Sequence, residues 1–171
     1  MNVVASWPGR ALVVTGEPDE SLFTAGELAK VRAFKLEKRR REWLLSRMAA
    51  KQLGLAPFVS FSHSAPYAAA MIGDAPVGID VQTIRDVDER TAHLFLTDDE
   101  TLAMQRCTLA HRLLHFWCAK EAEWKRRGGA TETLKRTALA LADVKRDGLL
   151  FDQVETFAID DFIVAITRPT F

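Results

Sequence analysis

The chain has 171 residues, of which 48% are hydrophobic and 27% are charged. These fractions are ordinary for folded globular domains, so the composition excludes a largely disordered chain. The 23 Lys and Arg residues balance the 23 Asp and Glu residues, so the net charge is zero. No overall charge therefore points to nucleic acid or to a membrane surface as the partner.

The charges are nevertheless segregated along the chain. Residues 30–51 hold nine basic and two acidic side chains, whereas residues 80–100 hold seven acidic and two basic ones. Separate blocks of opposite charge indicate an anionic partner at one place and a cation site at another.

The cysteine content and the apolar segments indicate the compartment. Two cysteines, Cys107 and Cys118, are too few for a disulfide framework. The first residues lack the pattern of a signal peptide, and no apolar run approaches the roughly 20 residues of a membrane span. We therefore expect a cytoplasmic protein with reduced thiols and no membrane partner.

Residues 1–76 are predicted to form an N-terminal half. Its predicted elements are, in chain order, a short hairpin or two strand pieces at residues 3–4 and 11–15, helices at 19–30 and 34–53, and strands at 58–61 and 67–72. Pro8-Gly9 is a turn signal between the first two pieces, and Gly54 is a typical stop for the second helix. The turn residues at 73–76 separate this half from the next.

Residues 77–171 are predicted to form a C-terminal half. Its predicted elements are, in chain order, a strand at 77–81, helices at 97–106 and 109–127, and an antiparallel pair of strands at 149–157 and 162–167. Thr97 and Glu100 have the spacing of a capping box, which starts a helix. Helices followed by paired strands, twice, predict an α+β fold, or an α/β fold with a largely antiparallel sheet, in two small halves that pack intimately.

The first candidate site is the sequence Val-Gly-Ile-Asp-Val-Gln at residues 77–82. Asp80 directly follows a Gly-Ile strand, which places a carboxylate at the surface of a sheet. Such a carboxylate can hold a hard cation. The alternative is a strand that ends in a solvated aspartate.

The second candidate site lies on the helix at residues 109–127. Trp117, Glu121 and Trp124 fall on one helical face. A carboxylate between two aromatic rings is costly to bury unless a partner or a metal satisfies it, and Lys120 and Lys125 beside it could hold an anionic substrate. The alternative is an exposed ion pair between Glu121 and Lys125, one helical turn apart.

Two further groups of residues are weaker candidates for a functional site, because each lacks a feature that its chemistry requires. Ser62, His63 and Asp80 could form a hydrolase triad, but no G-x-S-x-G motif surrounds the serine. His111 and His115 have the i,i+4 spacing of metal ligands, but no third ligand accompanies them.

The motifs together resemble the 4′-phosphopantetheinyl transferases. Val-Gly-Ile-Asp at 77–80, followed by Trp-Cys-Ala-Lys-Glu-Ala-x-x-Lys at 117–125, is similar to the signature pair of that family. Three further segments resemble its longer, surfactin-synthetase-activating subclass. They are Phe-Ser-His-Ser at 61–64, Arg-Arg-Glu-Trp-Leu at 40–44 with Arg47, and Phe-Leu-Thr-x-x-Glu at 95–100.

This resemblance implies a reaction. The phosphopantetheine arm of coenzyme A is transferred, with Mg²⁺, to a serine of an acyl or peptidyl carrier protein. It also implies a pseudo-dimer of two similar α/β halves with the active site in the cleft between them. An acidic carrier protein would suit the basic helix. The alternatives are a non-catalytic relative that binds coenzyme A or a carrier protein as an accessory module and, from another class, a nucleic-acid-binding domain built on residues 30–51, for which no motif is present.

The resemblance also implies roles for single residues. Asp80 and Glu121 would bind Mg²⁺, Glu121 or a nearby metal-bound water would take the serine proton, and Lys125 would contact the phosphates. Arg47, Ser62 and His63 would hold the nucleotide end of coenzyme A, and Lys120 is a further candidate for the anionic substrate.

The sequence departs from the family pattern in two places. Gln82 stands where a second acid is usual, so it could coordinate Mg²⁺ or orient its water without adding charge. The usual Gly-Lys-Pro segment is absent, and residues 54–60 contain no lysine.

Overall fold

The computed structural model describes residues 1–129 and 133–168. The first sheet contains four antiparallel strands: β1 (Asn2–Trp7), β2 (Ala11–Thr15), β3 (Phe58–Ser64) and β4 (Tyr67–Gly73). They lie in the order β1-β2-β4-β3. The second sheet contains five antiparallel strands: β5 (Ile79–Thr83), β6 (Leu141–Lys145), β7 (Gly148–Phe151), β8 (Val154–Ile159) and β9 (Phe162–Thr167). They lie in the order β5-β9-β8-β7-β6.

Within the described ranges, four α-helices accompany the sheets: α1 (Ala25–Arg32), α2 (Glu37–Leu53), α3 (Asp98–Arg106) and α4 (Arg112–Arg126). The predicted capping box of Thr97 and Glu100 is present at the start of α3. Helix α4 starts later than predicted because His111 has a φ of 54°, a left-handed conformation that cannot continue a helix toward residue 109.

One of the hydrophobic clusters of the core forms where the two sheets face each other. Ala69 and Met71 of the first sheet pack against Ile79, Val81 and Val164 of the second. Helix α2 covers the outer face of the first sheet, and α4 covers the outer face of the second. Each half thus places one long helix on an antiparallel sheet, and the predicted α+β fold is confirmed.

The division at residue 76 falls between the two sheets. Strands β1 to β4 precede it and strands β5 to β9 follow it. Because the sheets share one apolar core, the division into two domains stays a prediction. No helix of the described chain is both long and apolar enough to cross a bilayer.

A row of serines joins the two sheets at their edges. Strand β3 runs beside β5, and alternate serine hydroxyls of β3 accept backbone N–H groups of β5. The three bonds run from Ile79 to Ser60 (3.2 Å), from Val81 to Ser62 (3.1 Å) and from Thr83 to Ser64 (3.0 Å). Side-chain oxygens here take the place that backbone carbonyls have in an ordinary sheet.

The main difference from the sequence prediction lies in the C-terminal half. The single strand predicted at residues 149–157 is two strands, β7 and β8, and β6 was not predicted at all. Strand β6 lies at the edge of the sheet, where most of its side chains are exposed. Only the first of its five residues is partly buried, so β6 has no buried face that would mark it as a strand.

Candidate active site

The centre of the site is the carboxylate of Asp80 on β5. Its side chain points to the face of the second sheet that α4 covers, and the residue is only 2% exposed. Oδ1 accepts hydrogen bonds from Lys125 Nζ (2.7 Å) and Ser62 Oγ (2.7 Å). Oδ2 accepts hydrogen bonds from Gln82 Nε2 (2.9 Å) and the Cys118 thiol (3.4 Å). A buried carboxylate is tolerated when it is paired and hydrogen-bonded in this way.

A glycine allows α4 to approach this strand closely. A Cβ at Gly78 would lie 1.8 Å from the carbonyl oxygen of Ala122 and 3.0 Å from the backbone nitrogen of Arg126. Only a residue without a side chain fits there. The close contact brings Lys125 within 3.0 Å of the carbonyl oxygen of Ile79, and hence beside Asp80.

Glu121 lies one turn before Lys125 on α4. Desolvation raises the pKa of Glu121 above its usual value, the nearby Asp80 charge raises it further, and Lys125 opposes both effects. Within the described chain, no side chain donates a hydrogen bond to Glu121. Lys125 pairs with Asp80 instead, so the exposed Glu121–Lys125 pair considered above is not formed.

The carboxylates of Asp80 and Glu121 therefore lie near one ammonium group, which bonds to Asp80 and not to Glu121. Oxygen ligands of this kind suit Mg²⁺, which takes one or two carboxylates and fills its remaining positions with phosphate and water oxygens. Within the described residues, no three His, Cys, Asp or Glu side chains form a complete metal site. The pair of Asp80 and Glu121 fits an ion that a phosphate substrate helps to hold.

Gln82 contributes to the site through its nitrogen. Its Nε2 atom donates to Asp80 Oδ2, whereas Ser62 bonds to Oδ1, so the two residues restrain different oxygens of the carboxylate. The role of Gln82 as a metal ligand stays a prediction.

His63 lies on β3 beside the basic helix α2. Its Nδ1 atom is 3.5 Å from Glu42, and its Nε2 atom is 3.1 Å from Arg39 Nη1. Desolvation lowers the pKa of His63, an effect that the Glu42 carboxylate opposes and that Arg39 reinforces. The sequence analysis had not paired Arg39 and Glu42 with this histidine.

Arg47 lies at a cavity of about 220 Å³ on the same side of the first half. Its guanidinium stacks between the rings of Trp43 and Phe61, with ring-centroid distances of 4.6 and 4.0 Å. Stacking leaves the edges of the planar group able to bind an anion. Desolvation lowers the pKa of Arg47.

The expectation that Lys120 holds an anionic substrate does not agree with its position. Lys120 is 0% exposed, and its ammonium lies 2.9 and 2.8 Å from the two carboxylate oxygens of Glu100. A phosphate could reach it only by breaking this buried pair. We therefore omit Lys120 from the site.

Cys118 donates to Asp80 as well, a contact that the sequence analysis did not predict. Burial raises the pKa of its thiol well above the usual value, and Asp80 raises it further, so the group stays a neutral donor. Cys118, Glu121 and Lys125 are separated by three and four residues, the spacing of one helical face. That spacing could have indicated the contact.

The model of one protein family matches residues 76–161, just over half of the chain, and is described as the 4′-phosphopantetheinyl transferase superfamily. The chain belongs to this superfamily. Asp80, Glu121 and Lys125 all lie within the matched segment. No curated protein matches the chain.

Among solved structures, the chain is similar to the holo-[acyl-carrier-protein] synthase of Thermotoga maritima. The identity is 22%, the TM-score is 0.41, and the match covers 54% of this chain and 61% of the synthase. The assignment to the superfamily rests on the family model that matches residues 76–161 and not on this structural similarity.

Proposed function

We propose that this superfamily member transfers the 4′-phosphopantetheine arm of coenzyme A to a serine of an acyl or peptidyl carrier protein. The observation that carries the proposal is the buried Asp80–Lys125 pair beside the half-buried carboxylate of Glu121, at the junction of the two halves. The presence of both halves in one chain supports the surfactin-synthetase-activating subclass.

The transfer exchanges a phosphoanhydride bond of coenzyme A for a phosphate ester bond to the carrier serine. The serine oxygen forms a bond to the pantetheine-side phosphorus, and the bond from that phosphorus to the bridging oxygen breaks. The adenosine bisphosphate leaves with the bridging oxygen. Such reactions depend mainly on positioning and on electrostatic stabilisation of the phosphoryl oxygens.

Asp80 and Glu121 would hold Mg²⁺, with Gln82 as the residue that orients Asp80. When bound, the ion supplies positive charge to the pyrophosphate oxygens. Lys125 lies 2.7 Å from Asp80 and supplies a further positive charge at the same place. Glu121 would also accept the serine proton through its carboxylate.

The N-terminal half would hold the nucleotide end of coenzyme A. His63 and Arg47 both lie on this half, and Arg39 adds an exposed positive charge beside His63. The surface of α2 also suits an acidic carrier protein, because opposite charges steer the two proteins together. Both cysteines are free thiols, which supports a reducing, cytoplasmic site of action.

The proposal is tested by mass spectrometry of an apo carrier protein after incubation with coenzyme A, Mg²⁺ and this protein. We expect a phosphopantetheine adduct on the carrier serine. Glu121→Gln should lower the rate by about 10²–10⁴, as expected for loss of a general base. The substitution should leave the melting temperature unchanged or raise it slightly, since no described side chain donates a hydrogen bond to Glu121.

Two outcomes would contradict the proposal. Full activity of Glu121→Gln would remove this residue from the chemistry. Binding of coenzyme A or a carrier protein without any adduct would support the non-catalytic accessory module instead.

A further inference from the structure

Ser62 connects the two halves at the centre of the site. It belongs to β3 in the first half and is 5% exposed. Its hydroxyl accepts the backbone N–H of Val81 (3.1 Å) and lies 2.7 Å from Asp80 Oδ1. Both partners belong to β5 in the second half.

The direction of the second bond follows from a count of hydrogen atoms. A serine hydroxyl has one hydrogen and two lone pairs. The Val81 N–H can only donate, so it occupies a lone pair. The Asp80 carboxylate, paired with the ammonium of Lys125, can only accept, so it takes the hydrogen. Ser62 then has no hydrogen left for the phosphate of a nucleotide.

Ser62 differs in this respect from its neighbours in the serine row. Ser60 accepts the N–H of Ile79 in the same manner, but among the described residues it makes no hydrogen bond to the Asp80 carboxylate. Ser64 accepts the N–H of Thr83 and pairs with the hydroxyl of that residue. Of the three serines, Ser62 is therefore the one that bonds to the carboxylate.

We propose that Ser62 is a positioning residue, which fixes the orientation of the Asp80 carboxylate for the cation and for Lys125. This inference rests on the proposed function. Ser62 holds Oδ1 from the first half, and Gln82 holds Oδ2 from the second. The bond makes the geometry of Asp80 depend on how the two halves are joined. Mutation of a residue that orients a metal ligand in this way typically weakens metal binding by about 10–100-fold.

The experiment compares Ser62→Ala with Ser60→Ala as a matched control. Each substitution leaves one buried N–H of β5 without its acceptor, so Ser60→Ala should lower the melting temperature by about 5 °C. Ser62→Ala should lower it further, because it also removes the bond to the buried Asp80 carboxylate. Only Ser62→Ala should also release Asp80. Binding of Mn²⁺, a substitute for Mg²⁺, is measured by water-proton relaxation with saturating coenzyme A and without carrier protein, so that no transfer takes place.

We expect Ser62→Ala to weaken Mn²⁺ binding by at least about 10-fold and to lower kcat, with the KM for coenzyme A unchanged. Ser60→Ala should change neither Mn²⁺ binding nor kcat. Ser62→Thr, which keeps the hydroxyl, should keep both Mn²⁺ binding and kcat close to their wild-type values. If the alanine variant does not fold, Ser62→Cys should give an intermediate loss of Mn²⁺ affinity, because a thiol is a weaker donor.

Equal Mn²⁺ affinities of Ser62→Ala and Ser60→Ala would overturn the inference, and so would an increase confined to the KM for coenzyme A. A wild-type protein that binds no Mn²⁺ would also overturn it. A wild-type protein that binds Mn²⁺ but transfers nothing would refute the proposed function alone, because the Mn²⁺ comparison would still test the role of Ser62.

Discussion

The buried pair of Lys120 and Glu100 gives the sharpest stability prediction. Glu100 Oε1 accepts from Lys120 and from the backbone N–H of Leu139, whereas Oε2 accepts from Lys120 and from the backbone N–H of Thr97. The pair thus connects α4 to the start of α3 and to the segment before β6. Lys120→Met keeps the length and packing of the side chain but leaves the Glu100 carboxylate without its counter-charge.

The size of the effect follows from these contacts. Breaking a buried ion pair by removing one partner costs about 3–5 kcal/mol. Two N–H donors still bind Glu100 in the variant, so we expect the lower end of this range, about 3 kcal/mol. For a protein of this size, about 2–4 °C is lost per kcal/mol, so the melting temperature should fall by about 6–12 °C.

The assay is thermal unfolding followed by circular dichroism, combined with the KM for coenzyme A. Lys120→Met should lower the melting temperature and leave this KM unchanged. The double variant with Glu100→Gln should lose less stability than the sum of the two single variants, because each removes the same interaction. A stable Lys120→Met protein with a raised KM would show instead that the ammonium binds substrate.

Three further predictions concern the metal, the nucleotide and the pH dependence of stability. Gln82→Glu should lower the Mg²⁺ concentration for half-maximal transfer, because it adds a carboxylate beside Asp80, and an unchanged requirement would place residue 82 away from the ion. Arg47→Met, which keeps the contact with its aromatic neighbours, should raise the KM for coenzyme A without changing kcat, and an unchanged KM would contradict a phosphate contact. Burial lowers the pKa of His115 to about 4 from 6.5. The unfolded chain therefore binds a proton that the folded protein excludes, so about 3 kcal/mol of stability should be lost as the pH falls from 6.5 to 4. In urea titrations at several pH values, His115→Gln should show a smaller change of the free energy of unfolding with pH than the wild type. The same pH dependence in both proteins would contradict a lowered pKa of His115.

Local chemistry determined much of the fold from the sequence. The capping box of Thr97 and Glu100, the stop at Gly54 and the apolar stretch of β4 are interactions among residues close in the chain, so their spacing is visible in the sequence. The Gly-Ile-Asp segment and the face of α4 with Glu121 were found for the same reason. Helix α2 was predicted to start three residues too early because its N-terminus has no side-chain cap.

The partners of the charged residues were decided by the tertiary structure. Lys125 bonds to Asp80, 45 residues away, although Glu121 lies only one turn from it. Lys120, beside Glu121 in the sequence, points into the interior and bonds to Glu100. Consecutive residues of a helix point in directions about 100° apart, so neighbours in sequence meet different surroundings. Which surroundings each one meets depends on the sheet against which the helix packs, and for α4 that approach is set by the missing side chain at Gly78.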